Sequence, residues 1–298
     1  MAGARSAPLV VIFNRRALAA RALRRAGLEE ALRERRLRYQ VVDADSSQAT
    51  RSAAQEAAAA GEVVVAAGGD GTSLDVLNGV LAAGRRDVVM GHIPLGTGND
   101  LARALGRIGR GFERALDALA EFRTESIDVA QVNGGEYFLN VLGIGFDAEV
   151  VRRRLKQRFK IPGYFPTVVR TILHYRPQRY RVTWPGGALE GESLLTAAMN
   201  GNCEGGGFRL APNARLEDGL LDIYWIDPIS ITEFARYVWA VRRGTHERLP
   251  MVHKWRTARM TVESEGRIQY HLDGEYRELS AGEPLELVVH HRRLQMIV

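Results

Sequence analysis

The stretch Glu62-Val63-Val64-Val65-Ala66-Ala67-Gly68-Gly69-Asp70-Gly71-Thr72 constrains this chain more than any other. A β-branched apolar run with no polar break reads as a buried central strand. It stops at Gly68-Gly69, and Thr72 to Val80 carries helical spacing. Strand, glycine turn and helix leave backbone N–H groups aimed at one spot, and without a Cβ in the way a phosphate can reach them. Asp70 stands where a carboxylate would repel phosphate, so it implies a divalent cation between the two. Mg²⁺ held by a carboxylate and nucleotide phosphates meets that requirement. Taken alone, the stretch also reads as a tight turn with an Asp capping the next helix.

A second loop follows the next strand, Val88 to Ile93, and reads Pro94-Leu95-Gly96-Thr97-Gly98-Asn99-Asp100-Leu101-Ala102-Arg103. In an open α/β sheet ligands sit outside the carboxyl ends of the strands, so two polar glycine loops after adjacent strands face one crevice. In this order the two loops resemble the diacylglycerol kinase catalytic family. That family comprises soluble bacterial lipid kinases and the sphingosine and ceramide kinases; NAD kinases, more distant, share the first loop. The resemblance implies ATP and Mg²⁺, and an active site in the cleft between two domains. It implies that Asn14, Gly68, Gly69, Asp70, Gly71, Thr72, Gly96, Thr97 and Asn99 contact the nucleotide, with Asp100 and Arg103 in a charge network.

At 298 residues, 46% hydrophobic and 26% charged, the chain has room for two globular domains. Leu9 to Phe13 reads as a strand, Ala17 to Arg36 as an amphipathic helix, Tyr39 to Val42 as a strand and Ser46 to Ala60 as a helix capped by Ser46. Phe112 to Phe122 reads as the helix that closes this half. Alternation of this kind predicts a parallel sheet with helices on both faces over residues 1–124. The pattern then changes. Ile127 to Val132, the turn Asn133-Gly134-Gly135 and Tyr137 to Ile144 predict a hairpin. Arg179 to Trp184, Ser193 to Met199, Leu220 to Trp225, Ala258 to Glu263, Ile268 to Leu272 and Leu285 to His290 read as further short strands. Residues 125–291 are therefore expected to form an antiparallel β-sandwich. By the resemblance, residues 292–298 return to the first domain.

His271-Leu272-Asp273-Gly274-Glu275 sets two carboxylates around a glycine at a strand end, where a bent backbone can aim both near one point. Transfer of phosphate to an alcohol needs a group that accepts the hydroxyl proton. Alone the motif is an acidic Asp-Gly hairpin turn; the resemblance makes Glu275 the base and puts Asp273 in the charge network that orients it. Asp218-Gly219 is first a turn signal, and the resemblance implies a structural magnesium held by Asp218 and by main-chain oxygens at Arg215 and Leu220. Gly143-Ile144-Gly145-Phe146-Asp147-Ala148 reads as a turn into a helix, and it also matches a motif of the family, which keeps Asp147 a candidate. Arg152 to Lys160 is densely basic and Tyr164 to Tyr175 mixes aromatic and aliphatic residues. The run is either a solvated helix face or a surface that meets anionic lipid headgroups, with Tyr164, Phe165 and Ile172 at the interface.

A formal net charge of +6 suits an anionic partner. Lipid substrate and an anionic membrane surface are the expected ones; nucleic acid is not, since no aromatic stacking motif accompanies the charge. The single cysteine, Cys203, excludes an intrachain disulfide and fits a reducing cytosol. Leu9 to Phe13 is followed by Arg15-Arg16, the reverse of a charged region before an apolar one, so no signal peptide is expected, and no apolar run approaches the roughly 18 residues of a membrane span. A cytoplasmic protein with transient membrane association is expected, and a homodimer is left open. His246, His253, His271, His290 and His291 show no metal-ligand spacing and read as surface or interface residues.

The chain departs from the family's pattern near its start. Asn14-Arg15-Arg16-Ala17 replaces Asn-Pro-x-Ser-Gly, Asp43-Ala44-Asp45-Ser46 replaces a Thr-rich turn, and Leu74-Asp75 replaces an Asn-Glu pair. Arg15 and Arg16 would supply charge to phosphate through their side chains instead. The leading reading is a lipid kinase acting on a diacylglycerol-like or sphingoid lipid. An NAD kinase-like enzyme and a non-catalytic nucleotide-binding sensor are the alternatives.

Overall fold

The apolar run that ends in the first glycine loop forms a strand, Val63–Gly68, buried at every position. The computed structural model describes residues 8–106, 111–156 and 165–298. The chain divides into two units, Met1–Val129 with His291–Val298, and Ala130–His290. In the first unit Leu9–Asn14 (β1), Leu18–Glu34 (α1), Tyr39–Ala44 (β2), Ser47–Ala59 (α2), Val63–Gly68 (β3), Asp70–Ala82 (α3), Val89–Pro94 (β4), Asp100–Ala104 (α4) and Gly111–Glu121 (α5) follow one another, and Thr124–Val132 (β5) leads out. Strands pair in parallel in the order β2-β1-β3-β4, with Val65 opposite Val11 on one side and Gly91 on the other. Ser46 caps α2 as expected, its hydroxyl accepting from the Ala49 amide. The core on one side of this sheet joins Val11, Phe13, Val65 and Ile93 to Leu28 and Leu32 of α1 and Leu116 and Leu119 of α5. Helices α2 and α3 pack so closely that a Cβ on Gly79 would lie 2.3 Å from the carbonyl oxygen of Arg51.

The second unit contains Tyr137–Phe138 (β6), Val141–Gly145 (β7), Phe146–Lys156 (α6), Phe165–Ile172 (α7), Gln178–Trp184 (β8), Gly187–Ser193 (β9), Leu195–Met199 (β10), Leu221–Ile226 (β11), Ile231–Arg243 (α8), Val252–Thr257 (β12), Arg259–Glu263 (β13), Ile268–Leu272 (β14), Glu275–Leu279 (β15) and most of Leu285–Ile297 (β16). One antiparallel sheet runs β12-β11-β10-β7-β14-β15, and a second antiparallel run is β16-β13-β8-β9. The expected classes, parallel α/β then antiparallel β, are what the chain forms.

Three expectations change in detail. The hairpin after Val132 exists, with Ala130 opposite Phe138, but its second strand breaks after two residues, and β7 belongs to the other sheet. The residues at the break, Leu139 to Val141, give their amides to a carboxylate rather than to a strand. Gly187–Ser193, rich in Gly and Glu and without a β-branched residue, still forms β9 because all seven residues pair with β8. The second unit also holds helix α8, started by a capping box in which Ser230 and Glu233 satisfy each other's backbone.

The last strand is continuous, with Arg292 in the left-handed region at φ 48°. Its final residues enter the first unit's sheet, Met296 opposite Met90. Asp128, fully buried, accepts from the Arg292 amide at 2.7 Å and from the His291 ring at 2.9 Å. Asp128→Ala leaves that amide without its acceptor. It should lower the unfolding free energy by about 1–3 kcal/mol, read from urea denaturation; an unchanged midpoint would mean that the strand is held without Asp128.

Candidate active site

The two glycine loops leave adjacent parallel strands and lock together. The Leu95 amide donates to the Gly68 carbonyl at 2.7 Å. A Cβ on Gly96 would come 2.6 Å from the Cα of Gly69, so backbone packs on backbone there and only glycine fits. Asn99 holds its own loop closed from the left-handed region (φ 53°, ψ 43°). Its side-chain oxygen accepts the Gly96 amide, and its nitrogen donates to the Gly96 carbonyl, each at 2.9 Å. Thr97 is the exposed tip. On the other side Asn14, at the end of β1, donates to the Thr72 hydroxyl at 2.9 Å, and Thr72 lies where a Cβ on Gly68 would be.

Asp70 and Gly71 open helix α3. The first amides of any helix have no carbonyl partner inside it, so they suit an anion. The Asp70 carboxylate accepts from the Leu101 amide at 3.3 Å, and a Cβ on Gly98 would lie 2.8 Å from its other oxygen. Asp100 is buried, with Arg103 at 3.7 Å, and Arg103 also donates to the Gly98 carbonyl at 3.3 Å. The loops thus hold Asp70 against one another through backbone contacts. Arg15 is not presented to phosphate in this arrangement: Asp43 takes it together with Arg25, and the two guanidiniums hold the Asp43 carboxyl below the usual range.

In the second unit Asp273 and Gly274 turn β14 into β15 with φ of 47° and 86°, the two left-handed residues of a two-residue hairpin. The resemblance implies that Asp273 belongs to a charge network orienting Glu275. In the structure its carboxylate accepts three consecutive amides, Leu139, Asn140 and Val141, each at 2.9 Å. Burial pushes its carboxyl up, and the three amides with His271 pull against that. Glu275 is half-buried at the first position of β15.

Behind the turn lies a cluster that sequence reading missed. His271, expected at the surface or an interface, is fully buried, with Nε2 at 2.8 Å from Asp147 and 3.0 Å from Glu204. Burial and the neighbouring Asp147 push the Glu204 carboxyl well above the ordinary range. Glu204 is held in place by a bridge to Phe208 across Gly205-Gly206-Gly207, all three with positive φ. His246 is buried as well, on the Leu210 carbonyl at 2.8 Å. The only available signal was position: the motif singled out as Asp147, the triple glycine and the strand into Asp273 are far apart in sequence.

The remaining candidates fall elsewhere. Asp218 accepts from the Arg256 guanidinium and from the Leu220 amide, and the Arg215 side chain pairs with Glu217. A guanidinium supplies positive charge at Asp218 in this arrangement. In the basic run, Arg152 and Arg153 both bind Glu149 at 2.6 Å. Lys160 and Tyr164, and the side chains of Lys156 and Phe165, lie outside the described residues.

Residues 8–132 match the diacylglycerol kinase catalytic domain, and residues 140–298 match the YegS C-terminal NAD kinase beta sandwich-like domain. A diacylglycerol kinase of Bacillus subtilis is 32% identical over 245 residues, covering 81% of this chain and 80% of that one. The chain belongs to the diacylglycerol kinase family. It is a lipid kinase. A family member from Staphylococcus saprophyticus is 29% identical over 81% of the chain and 79% of its own. The crystal structure of a diacylglycerol kinase from Bacillus anthracis shares the fold, with a TM-score of 0.71 at 22% identity over 97% of this chain and 96% of that chain. Of the three readings of the sequence, the lipid kinase is the one that these relatives support.

The two acids of the turn should behave differently. Asp273→Asn sets an NH₂ group against a backbone amide and should cost about 1–3 kcal/mol of stability, whereas Glu275→Gln should cost less. Urea denaturation of both variants measures this, and an Asp273→Asn protein as stable as the parent would remove the structural role.

Proposed function

We propose that the chain transfers the terminal phosphoryl group of ATP to the hydroxyl of a diacylglycerol, with Mg²⁺ as the cation. The observation that carries the reading is the pair of interlocked glycine loops with Asp70 at the head of α3. The names of the relatives support the acceptor. The loop amides and the start of α3 bind and orient the phosphates. Asp70 offers carboxylate oxygen, the donor that a hard cation prefers, beside a glycine whose missing side chain leaves room. When bound there, Mg²⁺ would neutralise phosphate charge. Glu275 takes the proton of the lipid hydroxyl; the oxygen then bonds to the terminal phosphorus as the bond to the nucleoside diphosphate breaks. Asp100 and Arg103 support the second loop.

An anionic membrane surface belongs to the same reading, since the acceptor is a lipid. Among the described residues no helix is long and apolar enough to cross a membrane. Leu155 of α6, Val169 of α7 and Leu173 just beyond it expose 63%, 40% and 54% of their surface. Val169 lies in the last turn of α7 and Leu173 directly follows the helix, so the two exposed side chains are close in sequence. With Arg152 and Arg153 bound to Glu149, these apolar side chains are better candidates for the contact than the arginines.

Turnover on diacylglycerol and on a sphingoid base in mixed micelles, with and without a chelator, tests acceptor and cation together. Asp70→Asn should abolish turnover in folded protein, a loss on the order of several kcal/mol of transition-state stabilisation. Glu275→Gln should slow it by about 10²–10⁴-fold with nucleotide affinity kept. Near-parental activity in either variant removes that residue from the mechanism. Replacing Val169 and Leu173 by Ser should weaken co-sedimentation with anionic vesicles; unchanged binding would place the contact elsewhere.

A further inference from the structure

The mechanism above leaves the buried cluster behind the turn without a task. His271 is the fourth residue of β14, and its ring touches both sides of its surroundings. Nε2 faces Asp147 at 2.8 Å and Glu204 at 3.0 Å, while the Gly274 amide donates to Nδ1 at 3.2 Å. A backbone N–H can only donate, so Nδ1 must keep its lone pair. A neutral imidazole has one such nitrogen, and the other carries the proton. Nε2–H is then the donor to the two acids.

This assignment decides two alternatives. Asp147, Glu204 and His271 offer atoms within 4.8 Å of one another, as metal ligands would. A cation on Nε2 would need a second lone pair that a neutral ring with Gly274 on Nδ1 does not have. Burial opposes a charged ring, but Asp147 and Glu204 outweigh it and push the ring up to about 10. A second ring proton, however, would sit on Nδ1 and meet the Gly274 N–H, donor against donor. Burial and Asp147 push the Glu204 carboxyl up, which favours a proton on that acid. Space for the ring comes from Gly143, where a Cβ would lie 2.4 Å from Nε2 and 2.5 Å from the Asp147 carboxylate.

We propose that His271 is a positioning residue for the proton acceptor: held as the Nε2–H tautomer by Asp147 and Glu204, it accepts the Gly274 amide and so fixes the turn from which Glu275 departs. The proposal rests on the reading of Glu275 as the acceptor. Gly274 is the residue immediately before Glu275, with φ of 86°. Its amide is the handle by which a side chain can set the direction of the next residue.

Two substitutions split the ring's contacts. His271→Asn puts an acceptor oxygen near the Nδ1 position and gives up the reach to the acids. His271→Gln puts a donor nitrogen near the Nε2 position and gives up the acceptor for Gly274. The proposal expects His271→Gln to lose turnover on the order of 10²-fold, the cost of an ångström-scale misplacement, with KM for both substrates little changed. His271→Asn should retain most of the turnover. The opposite order, or equal losses in both, overturns the proposal and leaves His271 as a partner of two buried acids. Should either variant fail to fold in a melting curve, nitrogen NMR of the ring in the unaltered enzyme decides. A lone-pair Nδ1 and a protonated Nε2 support the proposal, and a proton on Nδ1 overturns it. Full turnover in Glu275→Gln would instead remove the acceptor reading, an outcome that the ring spectrum does not share.

Discussion

The second unit depends on one carboxylate. Asp273 takes three consecutive backbone amides, which a strand, with successive amides pointing to opposite sides, would not offer to a single partner. Those amides belong to the residues at which the chain leaves one sheet and enters the other, and a buried amide without an acceptor is costly. The carboxylate therefore makes the break between β6 and β7 affordable. It also ties that break to the turn that carries Glu275, so the route of the chain and the placement of a reactive group share one anchor. Asn200 reinforces it, donating to the Leu139 carbonyl at 2.6 Å while its amide reaches the Asn140 carbonyl at 2.8 Å.

How much of this was legible follows from how far apart the partners lie. Strand β3, the glycine loops and the cap at Ser46 are local, and local residue types announce them. The class change after Thr124 was legible for the same reason. Asp273 and its amides are separated by more than 130 positions, and His271 by 124 from Asp147. Periodicity carries no trace of such contacts. Spacing along the chain, which makes His271 and His246 surface or interface residues, does not show that their rings are buried on specific partners. Helix α8 did carry a signal, Ser230 three residues before Glu233, but the surrounding short strands drew the reading away from it. Strand β9 carried none, because pairing with β8 rather than its own composition makes it a strand.

The charge balance has the same lesson. A net charge of +6 invites the picture of a basic surface. Much of the arginine is matched locally: Arg15 and Arg25 on Asp43, Arg35 on Glu113 and Asp117, Arg152 and Arg153 on Glu149, Arg256 on Asp218. Exposed pairs of this kind add little stability, but they remove those cations from the account of what an anionic ligand would meet. Net charge is a sum over the chain, and recognition depends on where the unmatched part of the sum resides.

Strand β16 carries its last residues into the first unit's sheet, beside β4, and Arg293 reaches the Arg85 carbonyl across 208 positions of sequence. During synthesis β4 leaves the ribosome long before this neighbour exists. At bacterial or eukaryotic rates of roughly 5–20 residues per second the wait is roughly 10–40 seconds. For that interval the nascent sheet has an apolar edge strand open to other chains, the state that invites aggregation and that holding chaperones protect. The order of translation thus makes the half of the protein that is made first the half that is completed last.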